Sequence, residues 1–170
     1  SPESKNMINT LWTQLNSIKK GQSRPSGFER NQISKVGILG AGMMGAGIAY
    51  VAAKAGIEVV LLDSSLENAE KGKGYSSKLL DKAISRGRSA DAKKQALLAL
   101  IQPTTSYEDL KDCELIIEAV FEDIKVKAEC TAQAEAVIAD SALYASNTST
   151  LPITSLAKAS KRPNQFIGLH

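Results

Sequence analysis

Histidine is all but missing from this chain of 170 residues: there is one, and it is the last residue, His170. Cysteine is nearly as scarce, with Cys113 and Cys130 the only two. Neither thiol stands in a metal-ligand spacing, so no metal site is expected. No signal peptide precedes them, and the pair reads as buried apolar thiols in a reducing cytoplasm or, in a eukaryote, a mitochondrial or peroxisomal matrix. Charge of one sign is lacking too. The formal net charge is +3, and lysine and arginine are spread among acids, so no nucleic-acid surface is implied. An unbroken apolar span is absent as well. Residues 36–53 carry no charge, but Gly37, Gly40, Gly42, Gly45 and Gly47 crowd into them. Each glycine costs a helix roughly 1 kcal/mol against alanine, which argues against a transmembrane segment.

What is present is a patterned start at residues 35–47, KVGILGAGMMGAG. Val36, Ile38 and Leu39 form a short apolar run, and Gly40, Gly42 and Gly45 follow with the spacing GxGxxG. This predicts a strand, a tight turn and a helix. Gly40 permits the bend, Gly42 lets a pyrophosphate approach the backbone, and Gly45 lets the helix lie against the strand. The N–H groups of Met43 and Met44 then open the helix as an anion site. The glycine spacing alone is weak, and a flexible loop would share it. The context downstream separates the two: Gly56 suits a helix C-cap, residues 57–62 read as a buried strand, and Asp63 ends it. An acid at the tip of a second strand is where an adenosine ribose needs an acceptor, so the βαβ unit reads as dinucleotide-binding.

The length suits one domain with an appendage. Its two ends read as cut, since the chain starts Ser1-Pro2-Glu3 without a methionine and stops at His170 within an apolar strand. The expected division is residues 1–34 as an amphipathic helix and linker, and 35–170 as the nucleotide-binding domain. Met7, Ile8, Leu11, Trp12, Leu15 and Ile18 recur at helical spacing over about residues 3–20. Packing on this or a neighbouring domain is the favoured reading of that face over partner docking. Residues 21–27, GQSRPSG, have linker composition, and 28–34 lead polar chain into the first strand.

After Asp63, residues 66–86 predict a long helix stopped by Gly87, and Ser89 offers an N-cap for a second helix carrying Leu97, Leu100 and Ile101. Lys71, Lys73, Lys78, Lys82, Arg86 and Arg88 crowd this excursion, which reads as a solvated face sooner than a substrate surface. Pro103 makes residues 102–106 an edge strand or loop. The next core strand lies within 111–120. A helix follows from about Asp123, with Glu122 and Lys127 bracketing its first turn. Glu122 could serve ligand or helix dipole equally. Residues 142–145 form another strand, the hydroxyl-rich run SNTST follows, and Thr150 is a natural cap for a short helix at Pro152. A sixth strand over 166–169 would bring His170 to the same sheet edge as the glycine turn. The fold class is therefore α/β: a Rossmann-type doubly wound, mostly parallel sheet with a helical excursion after its second strand and an N-terminal amphipathic helix.

The stretches GAGMMGAG, Asp63, EAVFEDIKVK, SNTST and the terminal GLH, taken in order over residues 35–170, closely resemble the L-3-hydroxyacyl-CoA dehydrogenase family. The N-terminal helix and linker resemble the segment that joins hydratase and dehydrogenase modules in multifunctional fatty-acid oxidation proteins. The resemblance implies NAD as cofactor, with Gly40, Gly42, Met43, Met44 and Gly45 on the pyrophosphate and Asp63 on the adenosine ribose. Val120, Glu122 and Lys127 match positions lining the nicotinamide half, Ser149 a serine between nicotinamide and substrate, and His170 the catalytic histidine. Asp63 also disfavours NADP on its own account, because a carboxylate repels a 2′-phosphate and Ser64-Ser65 supplies no arginine.

The implied reaction is oxidation of (3S)-3-hydroxyacyl-CoA to 3-oxoacyl-CoA in β-oxidation, with a neutral imidazole taking the hydroxyl proton. In the family the acid that orients this histidine and the residues closing over acyl-CoA lie past the position of His170, so this stretch alone is expected to bind NAD with little turnover. The parent is expected to take an acyl-CoA substrate, as a homo-oligomer or with a thiolase partner. Two alternatives stand beside this reading: a non-catalytic NAD-sensing or interaction module, and another Rossmann hydroxy-acid dehydrogenase.

Overall fold

The computed structural model describes residues 1–27 and 31–170. Residues 28–30, part of the polar lead-in to the first strand, lie outside the described residues. The chain forms two compact units, Ser1–Gln32 and Ile33–His170.

In the first unit α1 (Pro2–Met7), a π-helical stretch (Ile8–Gln14) and α2 (Leu15–Lys19) follow one another. The Ser1 hydroxyl accepts from the Ser4 N–H, and Pro2 occupies the first helical position, where a missing N–H is harmless. The apolar residues Met7, Ile8, Leu11, Trp12, Leu15 and Ile18 are all exposed, Trp12 at 72%.

The second unit is built on a six-stranded sheet. The strands are β1 (Lys35–Leu39), β2 (Glu58–Leu62), β3 (Ile101–Thr104), β4 (Leu115–Glu118), β5 (Leu143–Ser146) and β6 (Phe166–Gly168). They lie in the order β3-β2-β1-β4-β5-β6, and every pairing is parallel. The helices are α3 (Met43–Lys54), α4 (Leu66–Ser85), α5 (Asp91–Ala99), α6 (Ile124–Glu135) and α7 (Ile153–Leu156). The chain leaves β1 for β2 on one side and reaches β4 on the other, so the order reverses between β1 and β4, where such sheets bind ligands.

Continuous apolar runs form these strands because both faces of the sheet are covered. In β2, Val59 and Leu61 join a core with Ile38, Ala49, Ala53 and Ile101, whereas Val60 and Leu62 join the opposite one with Leu110, Ile116, Ala134 and Tyr144. Two local expectations are corrected. Ile101 begins β3 and is 1% exposed, so it belongs to the sheet and not to the preceding helix. That helix is capped at Ala90, with no side-chain hydrogen bond from Ser89. Pro103 is tolerated because β3 is the edge strand.

Candidate active site

The glycine turn joins β1 to α3, and its geometry assigns each glycine a constraint. Gly40 has φ of +92° and donates its N–H to the Leu62 carbonyl at 2.8 Å. A Cβ on Gly45 would stand 1.8 Å from the Gly40 carbonyl oxygen. At Gly42 nothing lies within 4 Å of the same position, so here the backbone is open to a ligand. Met43 and Met44 start α3, so their N–H groups have no intrahelical acceptor. Their side chains are exposed, at 86% and 46%.

Asp63 follows β2 at the same sheet edge. Its Oδ2 accepts the Ala41 N–H at 2.7 Å, and its Oδ1 accepts from the Ser64 N–H, the Ser64 hydroxyl and the Asn68 amide. Burial would raise this carboxyl, but the Ala41 N–H, Asn68 and Ser64 outweigh it and hold it below its ordinary 3.8. With three donors on Oδ1 and one on Oδ2, the ionised group keeps accepting capacity at Oδ2 for a further hydroxyl. Gly40, Gly42, Asp63, Ser64, Val120 and Phe121 line one cleft of about 560 Å³, which Tyr107, Val126 and Cys130 complete on its apolar side. Met43 lines a neighbouring hollow with Lys71, Tyr75 and Lys78.

Beyond the cleft a second cluster forms where β4, α6 and the end of β5 meet. Glu118, the last residue of β4, is 1% exposed. Its Oε1 accepts the Lys127 ammonium at 2.8 Å and the Val120 N–H at 2.9 Å, and its Oε2 accepts the Ser146 hydroxyl at 2.7 Å. Lys127 also reaches Glu122 at 3.1 Å. Glu122 in turn accepts from the Thr148 hydroxyl and, at 3.2 Å, from Thr150. The Thr148 hydroxyl pulls the Glu122 carboxyl down to about 2, against a desolvation cost and with help from Lys127 and Thr150. Thr150 therefore binds Glu122, and α7 starts at Ile153 with Pro152 as its N-cap and no side-chain cap hydrogen bond, contrary to expectation.

Of the residues proposed from sequence, the structure brings Gly40, Gly42, Asp63 and Val120 into one cleft. Gly45 packs beneath the turn. Glu122 and Lys127 belong to the adjoining cluster, and Lys127, at 1% exposed, is covered. Ser149 is exposed beside Thr148. His170 is exposed after β6, and the residue before it is anchored: the Leu169 N–H donates to the Ser146 carbonyl at 3.1 Å, and the Asn147 amide donates to the Leu169 carbonyl at 2.8 Å. Sequence reasoning missed Glu118, Asn68, Ser146 and Thr148. Glu118 left a trace as an acid closing an apolar strand nine positions before a lysine, and Ser146 and Thr148 lay in the hydroxyl-rich SNTST run, but no pairing among them could be read. Cys113 is buried, and burial pushes its thiol up to about 11. Cys130 is half-buried in the cleft wall, and both are free. Among the described residues no three His, Cys, Asp or Glu side chains are placed to hold a metal, and no helix is long and apolar enough to cross a membrane.

An all-parallel sheet whose order reverses beside a glycine turn, with an ionised acid at the neighbouring strand tip, defines a dinucleotide-binding domain of the doubly wound α/β class. Residues 35–170 match the model of the family described as 3-hydroxyacyl-CoA dehydrogenase, NAD binding domain, and the chain belongs to that family. It is 41% identical over 140 residues to the fatty acid oxidation complex subunit alpha of Psychrobacter arcticus, covering 82% of this chain and 20% of that protein. It is 43% identical over 136 residues to the probable 3-hydroxybutyryl-CoA dehydrogenase of Deinococcus radiodurans, covering 80% and 49%. The crystal structure of (S)-3-hydroxybutyryl-CoA dehydrogenase from Ralstonia eutropha superposes with a TM-score of 0.79 at 39% identity, over 82% of this chain and 49% of that one. The chain thus spans between a fifth and a half of the length of these relatives. Its cofactor is NAD, and the site suits it: Gly42 is open where a pyrophosphate must approach, and Asp63 is ionised with capacity for a ribose hydroxyl.

Proposed function

We propose that this chain holds NAD for a dehydrogenase that oxidises (3S)-3-hydroxyacyl-CoA to 3-oxoacyl-CoA. The observation that carries the reading is the clasp of Asp63 on the Ala41 N–H, which sets an ionised ribose acceptor against the open glycine turn. The first-turn N–H groups of Met43 and Met44, with the backbone at Gly40, Gly42 and Gly45, take the pyrophosphate. Val120 and Glu122, the latter held by Lys127, border the nicotinamide half. When bound, NAD supplies the two-electron acceptor for hydride from C3. The His170 imidazole takes the proton of the 3-hydroxyl, and Ser149 donates to the same oxygen. The hollow lined by Lys71 and Lys78 shares Gly42 and Asp63 with the cleft and offers two ammonium groups to an anionic acyl-CoA. The whole protein works in a reducing compartment, cytoplasmic or, in a eukaryote, a mitochondrial or peroxisomal matrix, as a homo-oligomer or with a thiolase partner.

Titration with NADH and NADPH tests the cofactor half, with NADH bound at least tenfold more tightly; a preference for NADPH would overturn the role of Asp63. The catalytic half is tested in the full-length protein. His170→Gln should remove 3-hydroxyacyl-CoA oxidation by about a thousandfold or more while sparing NADH affinity. Unchanged turnover would instead favour a module that only senses NAD, and faster turnover of free hydroxy acids a different dehydrogenase.

A further inference from the structure

We propose that the groove where α3, α4 and α5 meet binds a soluble single-chain amphiphile with a phosphate monoester head, at a site separate from the cofactor cleft. The groove has a volume of about 550 Å³, within the roughly 300–1,000 Å³ of small-molecule sites. It lies at the sheet edge opposite the glycine turn. Gly56 and Leu100, which line it, precede β2 and β3, whereas Gly40 and Asp63 follow β1 and β2. All the strands run parallel, so the length of a strand separates the two places, and no residue lines both. The floor is apolar. Ala53 of α3 and Leu80 of α4 are buried, and Ala83, Leu97 and Leu100 are half-buried. The groove exists because each helix turns an alanine toward it, Ala53, Ala83 and Ala96, and a methyl group is too short to fill the junction.

Three cations rim this floor, each from a different segment. Lys54 closes α3, with its ammonium 5.9 Å from the centre of the Tyr50 ring. Arg88 sits in the turn between α4 and α5. That turn is fixed: the Gly87 N–H donates to the Ile84 carbonyl and the Arg88 N–H to the Ala83 carbonyl, both at 2.9 Å. Lys93 stands in the first turn of α5. Among the described residues no carboxylate lines the groove, and none pairs with these three cations. Lys94, the neighbour of Lys93, is by contrast neutralised by Asp81. Unneutralised cations over an apolar floor call for a ligand with a charged head and an alkyl chain. A carboxylate brings one charge, whereas a phosphate monoester carries about −1.5 to −2 at pH 7 and three acceptor oxygens, which matches three donors. The Ser89 hydroxyl also lines the groove and makes no cap bond to α5, so it adds a neutral donor. An acidic helix would be matched by cations spaced along one element, which is not the arrangement here.

The experiment follows backbone amide NMR shifts of the chain as decyl phosphate, inorganic phosphate or decanoate is added at low salt, each below any micelle threshold. Decyl phosphate should saturate, moving Ala53, Ala96 and Leu97 while Gly40 and Gly42 stay in place. Its Kd should lie about tenfold or more below those of the other two, because inorganic phosphate lacks the chain and decanoate the second charge. Arg88→Ala with Lys93→Ala should weaken decyl phosphate about tenfold or more. Both residues are exposed, so the Tm of this variant should stay within about two degrees of the wild type. Equal binding of decanoate would overturn the phosphate head, and equal binding of inorganic phosphate would overturn the apolar floor. Shifts centred on Gly40 and Gly42 would place the ligand in the cofactor turn and overturn the separate site. Unchanged affinity in the double variant, or no saturable binding of decyl phosphate, would overturn the proposal as a whole.

Discussion

A single methyl group distinguishes the tasks of the turn's glycines. Adding one at Gly45 drives Cβ into the Gly40 carbonyl, so Gly45→Ala should cost about 1–3 kcal/mol in urea unfolding and weaken NADH together with it. Adding one at Gly42 meets open space, and its φ of −67° suits any residue. Gly42→Ala should therefore keep its Tm within a degree or two and still lose NADH affinity, because the methyl would stand in the path proposed for the pyrophosphate. A hydroxyl makes the second contrast. Thr148 is the largest influence holding the Glu122 carboxyl near 2, well under its ordinary 4.5. A carboxyl lowered in the folded state contributes stability above its unfolded value, and that contribution is lost as pH falls through the folded one. For Glu122 the window runs from about 4.5 down to about 2. Thr148→Val should move the Glu122 midpoint upward in a carboxyl NMR titration, and an unmoved midpoint would assign the shift to Lys127 instead.

At the scale of elements, the strand tips matter more than the strands. β1, β2 and β4 all end at one edge of the sheet, and the residue at or just past each tip bonds to another segment: Gly40 to Leu62, Asp63 to Ala41 and Glu118 to Lys127. Much of this could be read from pattern, since the apolar runs, Gly56 and Gly87 as helix stops, and the start of α6 near Asp123 all depend on neighbours in the chain. Where the pattern misled, distant residues had decided. Ile101 follows α5 at helical spacing, yet its register opposite Val59 makes it sheet core. Ile101→Ala should consequently cost about 2–5 kcal/mol in urea unfolding, the loss of a large buried side chain. A cost under 1 kcal/mol would mean that β3 is not part of the cooperative core. Gly72 left no signal in the sequence, although a Cβ there would lie 2.8 Å from that of Ala41 and push α4 off the turn.

At the scale of the whole molecule, the six strands and the cleft all lie in the unit Ile33–His170. A chain beginning at Ile33 should fold and bind NADH within about twofold of the full chain, measured by fluorescence titration; a larger loss would make the N-terminal unit part of the site. The amino-acid sequence by itself determined the βαβ start, the cofactor class and the choice of NAD. Each of these follows from residue types a few positions apart: three spaced glycines, an apolar strand, and an acid with no arginine beside it. Only the tertiary structure decided that Glu118 and Lys127 are buried against each other, that Thr148 governs Glu122, and that Ala41 clasps Asp63. Those contacts join segments 9 to 26 positions apart, and nothing local to a carboxylate in the chain reveals whether folding will cover it or leave it in water.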